Sequence, residues 1–295
     1  MMTPNLIVST AWLAEHLTDP NVRIVDIRGH VAPASDPLPH YFAHRADYDR
    51  SHIPGAVFVD WVRDITDPDS PNGTQIAKPD AFAALMNTLA IGDDTLVVAY
   101  DDAGGMFAAR LWWALNYYGH EQVVVVDGGW QRWTAEGRPT TADVVVAQFP
   151  PATPRTTFTP RPNPAIRRTI EQVAEMVEAG SPALIDVRTP AEFNGQASRA
   201  RRGGHIPGAI NLPRGELVNP DGTFPGAAQL RAKFEAAGVI PAGIDPDEEE
   251  VVLYCNGGVS ASYGLLALRA AGYVGGAVYD GSWKEWGNDE TRPIE

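Results

Sequence analysis

The segment His-Ile-Pro-Gly-Ala occurs twice in this chain, at residues 52–56 and 205–209, 153 positions apart. Three further segments recur around it in the same order. Ile24-Val25-Asp26-Ile27-Arg28 is matched by Leu184-Ile185-Asp186-Val187-Arg188, and residues 97–102 are matched by 251–256. Asp127-Gly128-Gly129-Trp130 is matched by Asp280-Gly281-Ser282-Trp283. Four matched segments in one order identify a duplication, so the chain is one unit used twice. Short apolar runs at 96–100, 123–126 and 251–254 read as buried strands. Residues 78–89, 106–118 and 261–272 read as helices, with Pro79 suited to a first turn and Gly119 and Gly272 to helix stops. Residues 6–17 read as a short strand and a helix capped by Ser9 or Thr10, and 28–50 as a loop rich in Pro, His and Asp. Alternating strands and helices predict an α/β fold, each half a mostly parallel sheet with helices on both faces. The halves are expected at 1–149 and 165–295. Between them the Pro- and Thr-dense stretch 150–164 reads as an extended surface linker.

A length of 295 residues allows each half its own core. The net charge of −14 argues against nucleic acid and anionic membrane surfaces as partners, so a site for an anionic substrate must gather its cations locally. One cysteine forbids an internal disulfide and a cysteine metal cluster, and no metal or organic cofactor is indicated. The N-terminal residues lack the pattern of a secretion signal, and no run of apolar residues is long enough to span a membrane. A soluble, cytoplasmic protein is expected.

That cysteine, Cys255, sits in the turn between the strand at 251–254 and the following helix, and Asn256-Gly257-Gly258-Val259-Ser260 follows it. Backbone N–H groups and the positive end of a helix dipole favour the thiolate in such a place. Two glycines there permit close approach of backbone to a bound group, which an ordinary core cysteine does not need. The matching position in the first half is Asp101, a helix cap that cannot do thiol chemistry. Two chemistries suit a cysteine in this turn. A Cys-x₅-Arg phosphatase loop requires an arginine where this chain has Ala261; sulfur transfer through a persulfide requires none.

Two HIPGA segments, two D-x-R strands, two D-G-x-W segments and a C-x-x-G-V-[ST] loop together resemble the tandem-domain rhodanese family, the thiosulfate and 3-mercaptopyruvate sulfurtransferases. The resemblance runs from Leu6 to Trp286. It implies a catalytically silent first domain and a persulfide on Cys255. The persulfide would be held by the N–H groups from Asn256 through Gly257, Gly258 and Val259 to Ser260, with the Ser260 hydroxyl. It also implies Arg188 as the grip on an anionic donor, although Arg28 at the matching place offers both a structural ion pair with Asp26 or Asp186 instead. The expected partners are thiosulfate or 3-mercaptopyruvate as donor and cyanide or a thiol as acceptor, with a sulfur-accepting protein as a further candidate. Thiosulfate-preferring members read C-R-K-G and mercaptopyruvate-preferring ones C-G-S-G. Here Gly257 replaces both the lysine and the serine, and Glu192 replaces a second family arginine. Thiosulfate is the expected donor because a serine relay cannot be built at Gly257. The alternatives are a mercaptopyruvate enzyme and a non-catalytic sulfur-carrier or binding module. Arg199, Arg201 and Arg202 are candidates for the pocket rim. His52 and His205 read as structural because they repeat, although the resemblance offers His52 a place in the site with Asp47 or Asp49. The tryptophans at 130, 133, 283 and 286 read as core anchors.

Overall fold

The computed structural model describes residues 6–70, 72–143, 157–180, 184–239 and 251–295. The first half runs β1 (Ile7–Val8), α1 (Thr10–Glu15), β2 (Val22–Asp26), β3 (Gly29–Val31), β4 (Tyr41–Ala43), α2 (Arg45–Arg50), β5 (Val57–Phe58), α3 (Pro79–Thr88), β6 (Leu96–Tyr100), α4 (Met106–Tyr117), β7 (Val123–Val126) and α5 (Gly129–Ala135). The second runs β8 (Arg167–Arg168), α6 (Ile170–Glu178), β9 (Leu184–Asp186), α7 (Pro190–Phe193), β10 (Ile210–Asn211), α8 (Ala227–Ala236), β11 (Val252–Tyr254), α9 (Val259–Ala270), β12 (Ala277–Tyr279) and α10 (Ser282–Trp286). Ser9 caps α1, its hydroxyl accepting the Trp12 N–H.

The two five-stranded sheets repeat the duplication strand by strand. The first has the order β1-β7-β6-β2-β5; the second, β8-β12-β11-β9-β10, is that list with each strand replaced by its copy. Every pairing in both is parallel. Strands alternate their side chains between faces. Val98 and Tyr100 join an outer core with Leu13, Ile53 and Trp133, and Val252 and Tyr254 join its counterpart with Val173, Ile206 and Trp283. Val97, Ala99, Leu253 and Cys255 face inward into one core shared by both halves, where α4 and α9 pack on each other. The cysteine therefore stands at the seam between two lobes.

Two departures from the sequence expectation bear on function. The stretch 28–50 is no plain loop: β3 and β4 form an antiparallel hairpin, followed by α2. Its strands are three residues each, too short to show periodicity, and tertiary contacts hold them. Trp61 Nε1 donates to the Phe42 carbonyl (3.0 Å), and Arg199 Nη2 of the second lobe donates to that of Ala32 (2.6 Å). The part of the expected linker that lies within the described residues, 157–164, is docked rather than free-running. Phe158 is buried against Phe82, and Asn163 N–H bonds the Tyr117 carbonyl (2.7 Å).

Candidate active site

Between the lobes lies a cavity of about 570 Å³, and Cys255 is in its wall. The cysteine loop leaves β11 and enters α9 through Gly258 at φ +80°, a backbone region that favours glycine. A side chain there would also fall 2.8 Å from both Arg110 Nη1 and Asp280 Oδ1. Ser282 braces the loop from below. Its hydroxyl accepts the N–H groups of Cys255 and Gly258, both at 3.1 Å, and donates to the Tyr279 carbonyl (2.7 Å). The Trp283 N–H closes on the Cys255 carbonyl at 2.9 Å.

The first lobe displays the same turn with a resident anion. Asp101 accepts N–H bonds from Ala103 (2.8 Å), Gly105 (2.9 Å), Phe107 (2.7 Å) and Ala108 (2.9 Å). Burial raises the Asp101 carboxyl above the usual carboxylate range, and the amides, Ala108's first, offset only part of that rise. All four partners are donors, so the ionised form satisfies every contact and a protonated one would waste its O–H. The Trp130 N–H closes on the Asp101 carbonyl at 2.8 Å, as Trp283 does on Cys255. The second lobe's loop is one residue tighter: the left-handed glycine that caps the helix comes three places after Cys255, against four after Asp101. A helix leaves its first amides without internal acceptors. In α9 those of Val259, Ser260 and Ala261 have no acceptor among the described residues, whereas the Ser262 N–H bonds the Gly258 carbonyl.

The rest of the wall comes from both lobes. From the first come Tyr41, Thr74, Met106 and a chain of His30, His44 and Asp102. His44 Nδ1 lies 2.6 Å from Asp102 Oδ2, and His44 Nε2 lies 2.7 Å from His30 Nδ1. The Gly29 N–H fixes the other Asp102 oxygen at 3.1 Å. With both rings neutral, Asp102 selects the tautomer of His44 protonated at Nδ1, so His44 Nε2 accepts and His30 Nδ1 donates. His30 Nε2 is then left with a lone pair. Tyr41 is pushed up to about 12, by burial first, with Arg199 opposing and Cys255 and Glu192 adding, so it remains a neutral phenol. From the second lobe come Arg188, Glu192, Arg199 and Arg214.

This architecture matches known proteins across its length. The family model described as Rhodanese-like domain matches residues 9–136 and again 169–289. The chain belongs to the rhodanese-like family. Within it, this tandem rhodanese is 37% identical over 300 residues to the sulfur carrier protein TtuD of Thermus thermophilus, covering 99% of this chain and 96% of the relative. It is 35% identical to a thiosulfate sulfurtransferase of Corynebacterium glutamicum, covering 99% and 91%. The crystal structure of SseA from Escherichia coli, described among 3-mercaptopyruvate sulfotransferases, superposes with a TM-score of 0.79 at 30% identity, covering 95% of this chain and 99% of that one. The protein is a sulfurtransferase with two rhodanese-like domains.

Within this sulfurtransferase the residues singled out from sequence are unequally placed. Cys255, Asn256, Gly257, Val259 and Ser260 all line the cavity. The Gly258 N–H does not serve it, because Ser282 takes it. The Asn256 side chain turns to Glu192 (2.9 Å), and the Ser260 hydroxyl rests on the Met106 thioether (3.4 Å). Arg188 is held by Asp186 at 2.5–3.0 Å and by the Gly204 carbonyl, as Arg28 is held by Asp26 and the Ser51 carbonyl. The shared structural role therefore accounts for both arginines, and Arg188 keeps only its buried Nη1 without a partner among the described residues. Of the three loop arginines, Arg199 reaches the wall beside Glu192 (3.6 Å). Arg202 instead ties down the carbonyls of Trp286, Gly287, Asp289 and Arg292. Arg201 is exposed, its N–H on Asn288. His52 is fully buried between the Tyr48 and Asp143 carbonyls, away from the cavity, and His205 stacks on Phe193. The tryptophans are core: Trp133, Trp283 and Trp286 are fully buried, and Arg28 and Arg188 sit over Trp130 and Trp283. Sequence reasoning missed Ser282, Thr74 and the histidine chain. For Ser282 a signal existed, since it is the one position of D-G-x-W where the copies differ, Gly129 against Ser282.

Ser282→Gly, which installs the silent lobe's residue without strain at φ +55°, tests the brace. Two buried N–H groups lose their acceptor, so a stability loss of about 1–3 kcal/mol is expected in urea unfolding. An unchanged midpoint would exclude the bracing role.

Proposed function

We propose that this chain moves a sulfane sulfur from thiosulfate to a thiol, or to cyanide in an assay, through a persulfide on Cys255. The observation that carries the reading is the Asp101 carboxylate held by four amides in the silent copy of the same turn. A loop that closes around one buried anion in the first lobe is suited to a persulfide anion in the second. Cys255 attacks as the thiolate on the outer sulfur of thiosulfate. The new bond joins Cys255 to that sulfur, the sulfur–sulfur bond of thiosulfate breaks, and sulfite leaves with the electron pair. The cationic residues that line the wall, Arg188, Arg199 and Arg214, supply the local positive charge that a protein of net charge −14 must provide for such a donor. In the second half-reaction a thiol must lose its proton before it attacks the outer persulfide sulfur. His30 Nε2, backed by His44 and Asp102, is the base that fits. The likeness to a sulfur carrier protein supports a protein thiol as one acceptor.

The same histidine chain favours 3-mercaptopyruvate as the second reading. Its leaving group is the enolate of pyruvate, which needs a proton; His30 Nε2 can take that proton from the donor's own thiol and return it to the departing carbon, whereas sulfite needs none. Supplying each donor with cyanide and measuring sulfite against pyruvate decides between them. Sulfite release well above pyruvate release is expected; the reverse would replace thiosulfate by mercaptopyruvate. In either case His30→Ala should slow transfer to a thiol by about 10²-fold or more, the usual scale for removing a general base. Equal rates in wild type and variant would remove the relay from the mechanism.

A further inference from the structure

One hydroxyl in the cavity wall has nothing to bond to. Thr74, on the first-lobe loop between β5 and α3, is 5% exposed, and its Oγ1 has no hydrogen-bond partner among the described residues. It abuts the cysteine loop: a Cβ built on Gly257 would fall 2.5 Å from Thr74 Oγ1 and 2.7 Å from Thr74 Cβ. The first lobe thus fills the space that a side chain at position 257 would need. Buried hydroxyls are nearly always paired, so an unpaired one at a ligand cavity calls for an acceptor from outside the chain.

The duplication supplies a control. Asn72-Gly73-Thr74 has its copy in Asp221-Gly222-Thr223, the second-lobe loop that packs on the silent turn, where Gly222 approaches Gly104. There the hydroxyl is satisfied: Thr223 Oγ1 donates to Asp221 Oδ1 (2.7 Å) and accepts from Asn219 Nδ2 (3.0 Å). On the cysteine side the aspartate has become Asn72, whose amide is spent on the Gly281 carbonyl (2.7 Å) and whose oxygen takes the Thr74 N–H (3.3 Å). Only the threonine beside Cys255 has its hydroxyl left free.

We propose that Thr74, supplied by the otherwise silent lobe, binds the sulfur donor: its hydroxyl donates a hydrogen bond to an oxyanion oxygen of the compound whose sulfur Cys255 attacks. This rests on the sulfur-transfer reading above. The oxyanion is the sulfonate end of thiosulfate or the carboxylate of 3-mercaptopyruvate, and the two donors form the two arms of the test.

Thr74→Val keeps the shape and removes the hydroxyl. With the donor's oxygen left unpaired, the donor KM should rise about tenfold, the scale of one such bond. The donor whose KM rises identifies the oxyanion. Thr74→Ser should behave as wild type. Because the hydroxyl has no partner to lose, the valine variant should melt no lower than wild type, and neutral iodoacetamide should alkylate Cys255 at an unchanged rate. In Thr74→Ala/Gly257→Ser the hydroxyl moves onto the cysteine loop, into the vacated space, and the donor KM should fall from its Thr74→Ala value towards wild type. An unchanged KM for both donors in Thr74→Val, or a melting point several degrees lower, would overturn the proposal. A wild-type protein that acquires no sulfur from either donor would sink the sulfur-transfer reading itself, which a normally loading wild type beside an unaffected valine variant would not.

Discussion

Cys255→Ser is expected to leave a folded chain without sulfur-transfer activity. The substitution changes one atom in a wall position that is only 4% exposed, so the packing around β11 and α9 is retained and the melting temperature should stay close to that of wild type. The chemistry is removed outright, because a serine hydroxyl does not accept a sulfane sulfur. Deleting the nucleophile of a covalent enzyme costs on the order of 10⁶ in turnover, which places the variant at the floor of a thiocyanate-release assay. Asp101 offers no rescue, since both its oxygens are occupied by loop amides. Turnover by the variant within about tenfold of wild type would mean that sulfur passes through another group.

The second large effect is expected at Asp280, far less conspicuous in the sequence than the cysteine. Its carboxylate is almost wholly buried at the seam, taking Arg110 Nη2 at 2.7 Å and the Ile76 N–H at 3.0 Å from the first lobe, and Arg167 Nη2 at 3.2 Å. The copy in the first lobe reaches across in the opposite direction, with Asp127 Oδ1 accepting the Phe224 N–H at 2.8 Å. Each D-G-x-W aspartate therefore holds the loop that lies over its own lobe's turn, that of Cys255 or that of Asp101. Asp280→Ala would leave the Arg110 guanidinium, 2% exposed, without its counter-charge. Breaking a buried pair from one side costs about 3–5 kcal/mol. That corresponds to a fall in melting temperature on the order of 10 °C. Thr74 should shift as well, because Arg110 Nη2 also holds its carbonyl at 2.9 Å. A melting temperature within about 1 °C of wild type would contradict the latch.

The parallel α/β character of each half, the duplication and the turn that holds Cys255 were legible because each shows in local pattern or in direct repetition. Apolar runs such as Val251 to Tyr254, and letter-for-letter repeats, survive in any reading of the chain. The opposite wall of the cavity was not legible, for a physical reason. His30, Tyr41 and His44 lie on and beside a hairpin of three-residue strands, stabilised by Trp61 and by Arg199 from the other lobe rather than by its own pattern. For Arg188 the pattern left two roles open, since one D-x-R segment serves equally for a substrate grip and for a strand-end brace, and Asp26–Arg28 and Asp186–Arg188 are built alike as braces. The unpaired hydroxyl of Thr74 is a property of what surrounds it, whereas the brace of Ser282 shows in the sequence only as the one difference between the D-G-x-W copies.

Mass spectrometry of the purified chain after incubation with thiosulfate and removal of the donor tests the sulfur relay most directly. A gain of roughly 32 Da, one sulfur atom, mapped to the peptide containing Cys255 and reversed by cyanide, is the expected result. An unchanged mass, after both thiosulfate and 3-mercaptopyruvate have been offered, would contradict it.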